Sequence, residues 1–346
     1  MPSDPDGDAE EARRDVAVIF VHGILARRPE FAARMQKRLR RRLIRDGLHD
    51  YVHFRSVFWA DDVREHQDEY FDSARAAGGF WHSTLRRYVI QGLGDAAAYQ
   101  KTRDRENSIY FKVQSDISDK IKSLDSENRS QGRGLCPLIF IGHSLGSHVI
   151  SSFLWDLNKL KQRTEDDIVK NERDIKVKEL WYELKDGGEF RRLETCAGIV
   201  TLGSNIPMFT FTFGPSFVYP ITVAPNDAAG KELQPAFPGA ALPKPLKEKA
   251  RWLNFYSRWD ILGFPLKPLN AAYRKAKIIH DIRVWSEWPW FLPYIWCIFA
   301  HRRYWTNRTV LRETHKLIRE MVVTPTTPTT SRPSAPLVQT GAQAMS

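Results

Sequence analysis

The residue types and spacing that most directly indicate chemistry are those of the pentapeptide Gly142-His143-Ser144-Leu145-Gly146. A Gly-x-Ser-x-Gly pattern arises by chance in about one chain in ten of this length, so alone it decides little. Here it directly follows the apolar run at 138–141 and directly precedes a segment compatible with a helix. Such a strand-turn-helix arrangement exposes the serine, and Gly142 and Gly146 let the strand and the helix approach each other. The pattern predicts Ser144 as the nucleophile of an acyl transfer, with His143 as a packing residue.

A second turn, His22-Gly23-Ile24-Leu25, ends the first apolar run of the chain. Because the carboxyl ends of parallel strands lie on one edge of a sheet, we expect this turn to lie beside Ser144. The oxyanion of a tetrahedral intermediate needs backbone N–H donors. One donor is predicted to be Leu145, directly after the nucleophile, and the other Ile24 or Leu25. His22 is predicted to be structural, shaping this oxyanion hole, rather than to act as a base.

Six runs rich in apolar and β-branched residues are predicted as the strands that position these turns: 16–23, 51–59, 135–144, 196–204, 252–257 and 277–285. Several of them lack polar alternation, which is typical of parallel strands covered by helices on both faces. Helices are predicted in the remaining chain at 29–45, 107–124, 147–160 and 307–321. The alternation of strands and helices predicts an α/β fold with a mostly parallel central sheet flanked by helices.

One folded domain is predicted over residues 15–322, with a disordered leader at 1–14 and a disordered Thr- and Pro-rich tail at 323–346. The tail composition cannot bury a core. Within the domain, two connections, at about 61–130 and 205–249, are longer than a simple crossover needs. Long connections in a compact domain are typical of lids and binding walls, so both are predicted to be lid or cap insertions.

The chain of 346 residues has 52 Lys and Arg against 41 Asp and Glu, a formal net charge of +11. Such a balance suits anionic surfaces, but the sequence contains no nucleic-acid motif, so nucleic acid is not expected as a partner. Much of the excess lies at 34–45, where Met35, Leu39 and Leu43 form one apolar stripe on an otherwise basic helix. We interpret this helix as a solvated face or, alternatively, as a means of peripheral association with an anionic membrane surface.

Three cysteines without metal-like spacing indicate a reducing compartment. The acidic N-terminal segment is the opposite of the basic-then-apolar order of a signal peptide, so a cytoplasmic location is predicted. The most apolar tract, at 288–300, has 13 residues and is too short to span a membrane. It is interpreted as a lid, a pocket wall or a membrane-contacting element.

Three segments together, VIFVHGI, IGHSLG and IVTLGSNIP, resemble the α/β-hydrolase superfamily. Within it, the chain is similar to lipase-like serine esterases, including the glycosylphosphatidylinositol inositol-deacylase-like group. The resemblance covers most of residues 16–320 and is more specific for the superfamily than for the subgroup. One departure is Asn205, where relatives often read Gly-Ser-Pro. The resemblance implies a chain order of nucleophile, acid and histidine, so the partners of Ser144 should lie downstream of it.

Asp260 is predicted as the acid because it follows the strand-like run at 252–257, at the carboxyl edge; Asp281 is the second choice. Its carboxylate would accept the Nδ1 proton of the histidine. Three downstream histidines qualify as the base: His280, within a strand-like run, His315, within a helix, and His301. The resemblance favours His301, because lipase-like members often carry a Tyr-Trp pair shortly after the catalytic histidine.

The expected function is that of a serine esterase that needs neither metal nor cofactor. Aromatic residues after the predicted strand at 196–204 favour lipid or long-chain acyl esters over smaller esters, thioesters or amides; they are Phe209, Phe211, Phe213, Phe217, Tyr219 and the tract 288–296. Two alternatives stay open: a catalytically silent scaffold that binds a partner, and a phospholipase recruited to membranes. The sequence leaves the oligomeric state open.

Overall fold

A computed structural model of the protein describes residues 12–24, 26, 28–77, 92, 94–101, 108–172, 174–210, 218–226, 230, 232–285 and 300–324. At the centre lies a six-stranded sheet, made of β1 (Val16–Val21), β2 (Val52–Val57), β3 (Leu138–His143), β4 (Cys196–Leu202), β5 (Arg251–Tyr256) and β6 (Ile279–Arg283). The strand order is β2-β1-β3-β4-β5-β6, and every neighbouring pair is parallel. Each strand falls within a run predicted from the sequence, except that β5 begins one residue earlier, at Arg251. The predicted α/β architecture with a parallel sheet is therefore confirmed.

Helices flank this sheet. The four that the sequence predicts are α1 (Ala33–Arg45), α3 (Ile109–Ser130), α4 (Leu145–Lys161) and α10 (Arg308–Val322). The others are α2 (Asp61–Ala76), α5 (Glu165–Asn171), α6 (Ile175–Asp186), α7 (Ile206–Thr210), α8 (Lys244–Lys249) and α9 (Ala271–Lys275), with short 3₁₀ turns at His49–Tyr51, Lys267–Leu269 and Arg303–Thr306. The charged helices α5 and α6 were not predicted.

Alternate residues of the strands face two separate hydrophobic layers. On β1, Ala17, Ile19 and Val21 pack with the apolar sides of α3 and α4. Their neighbours Val18 and Phe20 pack with α1 and α10 on the opposite face. Burial of both faces explains why the strand sequences show no polar alternation.

The two predicted lid insertions include parts of these layers. The α3 residues Val113, Ile117 and Leu124 are fully buried in the layer that covers the sheet. In the second interval, Leu246 of α8 is buried in the opposite layer. The lid prediction is wrong for these two helices, because their apolar stripes cover the sheet. It stays a prediction for the rest of both intervals.

The ends of the described chain pair with each other. Ala12–Arg13 and Val323–Thr324 form a two-residue antiparallel ladder, and the Arg14 N–H donates to the Val322 carbonyl at 3.0 Å. The pairing thus includes residues slightly beyond the predicted limits of 15 and 322. No helix among the described residues has the length and apolar character needed to cross a bilayer.

The chain order places a topological switch point at the carboxyl end of β1. From β1 the chain passes to β2 on one side and then returns to β3 on the other side. Ligands of open α/β sheets bind in the crevice at such a point, outside the carboxyl ends of the strands. His22-Gly23 and Ser144 directly follow β1 and β3, so both lie at this crevice.

Candidate active site

Ser144 occupies a strained turn between β3 and α4. Its φ of 53° and ψ of −124° lie in a region that non-glycine residues rarely adopt, at a cost of about 1–3 kcal/mol. The turn is held by the Ser144 N–H, which donates to the Leu202 carbonyl at 2.9 Å. A Cβ on Gly142 would lie 2.7 Å from the carbonyl oxygen of Gly146, and one on Gly146 would overlap the carbonyl of Val21. The two glycines therefore permit the close packing that the strained serine requires.

The turn after β1 lies against the Ser144 turn, as its sequence position predicts. A Cβ on Gly23 would overlap the Ser144 Cβ and lie 3.0 Å from the Leu145 nitrogen. The Gly23 carbonyl accepts a 2.6 Å hydrogen bond from His22 Nδ1. In a trans peptide the next N–H points opposite to the carbonyl. The Ile24 N–H is therefore directed away from the His22 ring; Leu25 lies outside the described residues.

His22 is a fully hydrogen-bonded structural residue. Its Nε2 accepts the Trp59 backbone N–H at 3.0 Å, and its ring stacks on the Trp59 indole at 4.8 Å between centroids. Burial lowers the pKa of His22 to about 4, so the ring is neutral at physiological pH. Since Nε2 accepts and Nδ1 donates, the proton is assigned to Nδ1.

Asp260 and His301 form a buried pair at the same edge of the sheet as Ser144. The His301 Nδ1 lies 2.9 Å from both carboxylate oxygens of Asp260. Oδ2 also accepts the Tyr304 hydroxyl at 2.7 Å, and Oδ1 accepts the Leu262 N–H at 2.9 Å. Burial acts to raise the pKa of Asp260, but the hydrogen bond and charge of His301, with the other two donors, hold it below its usual value. Asp260 is therefore ionised and oriented toward the imidazole.

Two glycines that the sequence analysis did not single out make room for this pair. Gly203, directly after β4, has a φ of 57°, and a Cβ there would lie 2.7 Å from Asp260 Oδ2 and 3.1 Å from His301 Nδ1. A Cβ on Gly263 would overlap Asp260 Oδ2. Gly203 stands in the segment LGSN at a strand end, which is a signal for a close approach, whereas Gly263 has no local signal.

His143 holds the backbone of His301, a role that the prediction of a packing residue missed. Its Nε2 donates to the His301 carbonyl oxygen at 2.6 Å, and the two ring centroids are 4.7 Å apart. Burial, and next the proximity of His301, lower the pKa of His143 to about 3. His143 is therefore a neutral positioning residue, which links the nucleophile turn to the segment that carries His301.

Ser144 Oγ and His301 Nε2 are both buried and neither has a hydrogen-bond partner. Ser144 is 1% exposed and His301 is 6% exposed. A third such atom at the same edge is Asn205 Oδ1. Buried polar atoms are nearly always paired, so a concentration of unpaired ones marks a reactive or ligand-binding site.

The alternative residues lie elsewhere. His280 is exposed on β6, and His315 of α10 is 3.1 Å from Asp46. Asp281 accepts the N–H groups of Leu266 and Lys267 at 2.9 and 2.8 Å, so its carboxylate secures a loop. Among the described residues, no group of three His, Cys, Asp or Glu side chains is placed to hold a metal ion.

The aromatic residues predicted to bind an acyl chain are only partly described. Phe209 stacks on His148 at 4.3 Å, on the helix that follows Ser144. Tyr219 lines a separate cleft of 950 Å³ together with Ile278, at the amino end of β6. Phe211, Phe213, Phe217 and the tract 288–296 lie outside the described residues.

Comparison with known proteins adds no assignment. No family model, curated protein or solved structure matches this chain. Any functional conclusion therefore rests on the site itself: a strained serine, an oriented histidine–aspartate pair and adjacent backbone amides.

Proposed function

We propose that the protein is a serine hydrolase that cleaves carboxylic esters, with Ser144 as nucleophile, His301 as general base and Asp260 as the acid of the triad. The observation that carries this proposal is the His301–Asp260 pair, with His301 Nε2 buried and unpaired at the edge where Ser144 Oγ is also unpaired. A carboxylate on Nδ1 fixes the tautomer that leaves Nε2 able to accept a proton.

In the proposed reaction, His301 Nε2 accepts the proton of Ser144 Oγ while that oxygen attacks the ester carbonyl carbon. The N–H groups of Leu145 and of Ile24 or Leu25 stabilise the oxyanion, assisted by the N-terminus of α4. The intermediate expels the alkoxide, which takes the proton from His301, and leaves an acyl-enzyme. Water, deprotonated by His301, then releases the carboxylic acid and restores the Ser144 hydroxyl.

In this structure Ser144 Oγ and His301 Nε2 do not hydrogen-bond to each other. Catalytic hydrogen bonds are often long in the absence of substrate and tighten in the complex. The same observation favours the second candidate, a silent scaffold that binds a partner at this crevice.

We further propose that the fold is an α/β-hydrolase fold. The serine turn follows the third strand in chain order, at the centre of a parallel sheet, and the acid and the histidine come later along the chain. This is the order Ser, Asp, His that the superfamily uses.

We propose lipid or long-chain acyl esters as substrates, with smaller esters, thioesters and amides as alternatives. The partly buried stack of Phe209 on His148 of α4, and the exposed apolar side chains at the carboxyl ends of the strands, support this choice. The cytoplasmic location stays a prediction; Cys136 and Cys196 are free, buried thiols, and burial raises the pKa of each to about 12.

Labelling with a fluorophosphonate probe tests the nucleophile. We expect the wild type to be labelled and Ser144→Ala to remain unlabelled. Ser147→Ala is the matched control, because Ser147 is buried one turn along α4 and its hydroxyl donates to the Gly142 carbonyl at 3.2 Å. Equal labelling of wild type and Ser144→Ala would show that Ser144 is not the nucleophile. A folded wild type without labelling would favour the silent scaffold.

A further inference from the structure

Several large apolar side chains are exposed at the edge of the sheet where Ser144 lies, which is formed by the carboxyl ends of the strands. Met208 is 45% exposed, Trp259 41%, Ile261 62% and Trp285 64%. All four follow the carboxyl ends of neighbouring strands: Met208 follows β4, Trp259 and Ile261 follow β5, and Trp285 follows β6. Parallel strands place these ends side by side, about 5 Å apart. We call these four residues the edge patch.

Hydrogen bonds connect the edge patch to the proposed triad. Trp259 and Ile261 flank Asp260 in the chain. The Trp285 carbonyl accepts a hydrogen bond from Asn307 Nδ2 at 3.0 Å, and the Asn307 N–H donates to the Tyr304 carbonyl at 3.2 Å. The Tyr304 hydroxyl in turn donates to Asp260. The edge patch thus belongs to the rim of the crevice that contains the site.

Within the described segments that carry the edge patch, the exposed charges have one sign. Arg258, Arg283 and Arg302 are exposed at the same strand ends, and among the described residues none of them forms an ion pair. The segments 203–210, 257–263, 283–285 and 300–307 contain one carboxylate, Asp260, which is buried against His301. The exposed surface here is therefore both apolar and cationic.

We propose that the edge patch and its three arginines dock the protein on an anionic lipid bilayer, with the crevice facing the lipid. Indole rings favour the membrane–water interface, and arginines near an anionic leaflet add electrostatic attraction. The inference deepens the proposed function and rests on it, because a surface that docks at the rim delivers acyl esters to Ser144.

A second copy of the chain fits this surface less well. A symmetric dimer through the edge patch would bring the same arginines face to face without a carboxylate to compensate them. Nucleic acid would gain from the cations and from the two indole rings, but it would leave the exposed side chains of Met208 and Ile261 without an apolar partner. An anionic bilayer complements both the charge and the apolar side chains.

The basic helix α1 differs from the edge patch. Its apolar stripe, Met35, Leu39 and Leu43, is fully buried in the layer that contains α10, and Ile44 is its one large apolar side chain that is exposed, so the helix has no apolar face to insert. It ends near the amino edge of the sheet, because the strand it leads into begins with Val52, paired with Val16 at the start of β1. Arg41 and Arg45 lie on the half of α1 nearer that amino edge and provide a control of equal charge.

The test is co-sedimentation of the Ser144→Ala protein with vesicles of phosphatidylcholine alone or with phosphatidylglycerol added. We expect binding to the anionic vesicles only, and weakening with salt. Arg258→Gln with Arg283→Gln should lower the partition coefficient about 25-fold, since each cation contributes about fivefold. Arg41→Gln with Arg45→Gln, the same change in net charge, should lower it much less. An equal loss from both pairs would overturn the placement at the edge.

The contribution of the tryptophans of the edge patch to vesicle binding is tested with a second pair of variants. Trp259→Ser with Trp285→Ser should lower binding about tenfold or more. Ile175→Ser with Tyr182→Ser on α6, which are 71% and 39% exposed, should leave binding unchanged. Sedimentation velocity supplies a further check, because a wild-type dimer that the tryptophan variants convert to monomer would make the edge patch a self-association surface and overturn the proposal.

Failure of docking and failure of the proposed function are distinguishable. Binding is measured on Ser144→Ala, so it does not depend on chemistry, whereas hydrolysis of a soluble short-chain p-nitrophenyl ester does not depend on vesicles. Hydrolysis of that ester without vesicle binding refutes docking alone. Vesicle binding without hydrolysis supports docking and refutes the ester hydrolase.

Discussion

His22 and His301 are two buried histidines at the same edge of one sheet, yet their hydrogen bonds differ. His22 uses both ring nitrogens within the protein, Nδ1 toward the Gly23 carbonyl and Nε2 toward the Trp59 N–H. His301 uses only Nδ1, toward Asp260, and leaves Nε2 buried and unpaired. The two histidines are therefore nearly equally buried, and they differ in that His301 Nε2 has no hydrogen-bond partner.

Structural and reactive histidines differ in how many of their ring nitrogens are hydrogen-bonded within the protein. A completed set of hydrogen bonds lets a ring hold two chain segments together, at the cost of any proton transfer. A ring that is fixed through one nitrogen keeps the other available to a substrate or nucleophile. A carboxylate on the fixed side also stabilises the imidazolium that forms during proton transfer.

The same replacement at both positions should separate the two roles most strongly. His301→Phe is expected to lower kcat for ester hydrolysis by about 10⁴–10⁶-fold, because it removes the base, and to lower stability as well, because the buried Asp260 loses a hydrogen bond. His22→Phe keeps the stack on Trp59 but leaves the buried Trp59 N–H unpaired, so it should cost about 1–3 kcal/mol of unfolding free energy. Kinetics and chemical denaturation of both variants measure this. A larger kcat loss in His22→Phe would reverse the assignment.

A pair of carboxylates provides the next test. Asp260→Asn should lower kcat by about 10⁴-fold, because an amide beside Nδ1 stabilises the wrong tautomer of His301. Asp281→Asn is the control, since its oxygens accept backbone N–H groups of the 264–267 loop. It should lower stability and leave kcat within a few-fold of the wild type. Equal kcat losses would mean that Asp281 serves the site as well.

Much of the sheet could be predicted because its central strands are identified by their local sequence alone. The strands β1, β3 and β4 are buried on both faces, so each of them is an apolar run, and Ser144 stands directly after β3. His301 was selected through the resemblance, and its contact with Asp260 joins residues 41 positions apart, which no local pattern encodes. Gly263 and the His143 contact were missed for the same reason, since each depends on the approach of distant segments.

Helices show where local patterns fail. The interval 61–130 was predicted to be a lid because it is long, yet α3 covers the sheet with a regular apolar stripe. Helices α5 and α6 were missed because their sequence is highly charged and few of their residues are buried, among them Ile168, Trp181 and Leu184. Length and charge describe a segment without saying what it packs against.

The His143 contact should have a smaller effect on the rate, because it positions His301 without touching the reacting atoms. His143→Phe removes the donor to the His301 carbonyl and should lower kcat about tenfold with KM nearly unchanged. His143→Gln keeps a donor at the position of Nε2 and should recover most of the loss. A structural role alone would lower stability equally in both variants without a difference in kcat. Equal kcat in His143→Phe and wild type would exclude positioning.

Tyr304 gives the smallest expected effect on rate and a distinct dependence on pH. Its hydroxyl helps to hold the pKa of Asp260 below the usual 3.8, so it stabilises the ionised carboxylate. Tyr304→Phe should lower the unfolding free energy by about 1.5–3 kcal/mol at neutral pH and change kcat only a few-fold. The stability due to this hydrogen bond is present above the usual pKa and is lost as pH falls through the lowered pKa of Asp260. The difference in unfolding free energy between variant and wild type should therefore shrink in acid.

Tyr273→Phe is the control, because burial alone raises the pKa of Tyr273. Urea denaturation across this pH range measures both variants, and a difference for Tyr304→Phe that is independent of pH would show that its hydroxyl does not act through the Asp260 charge.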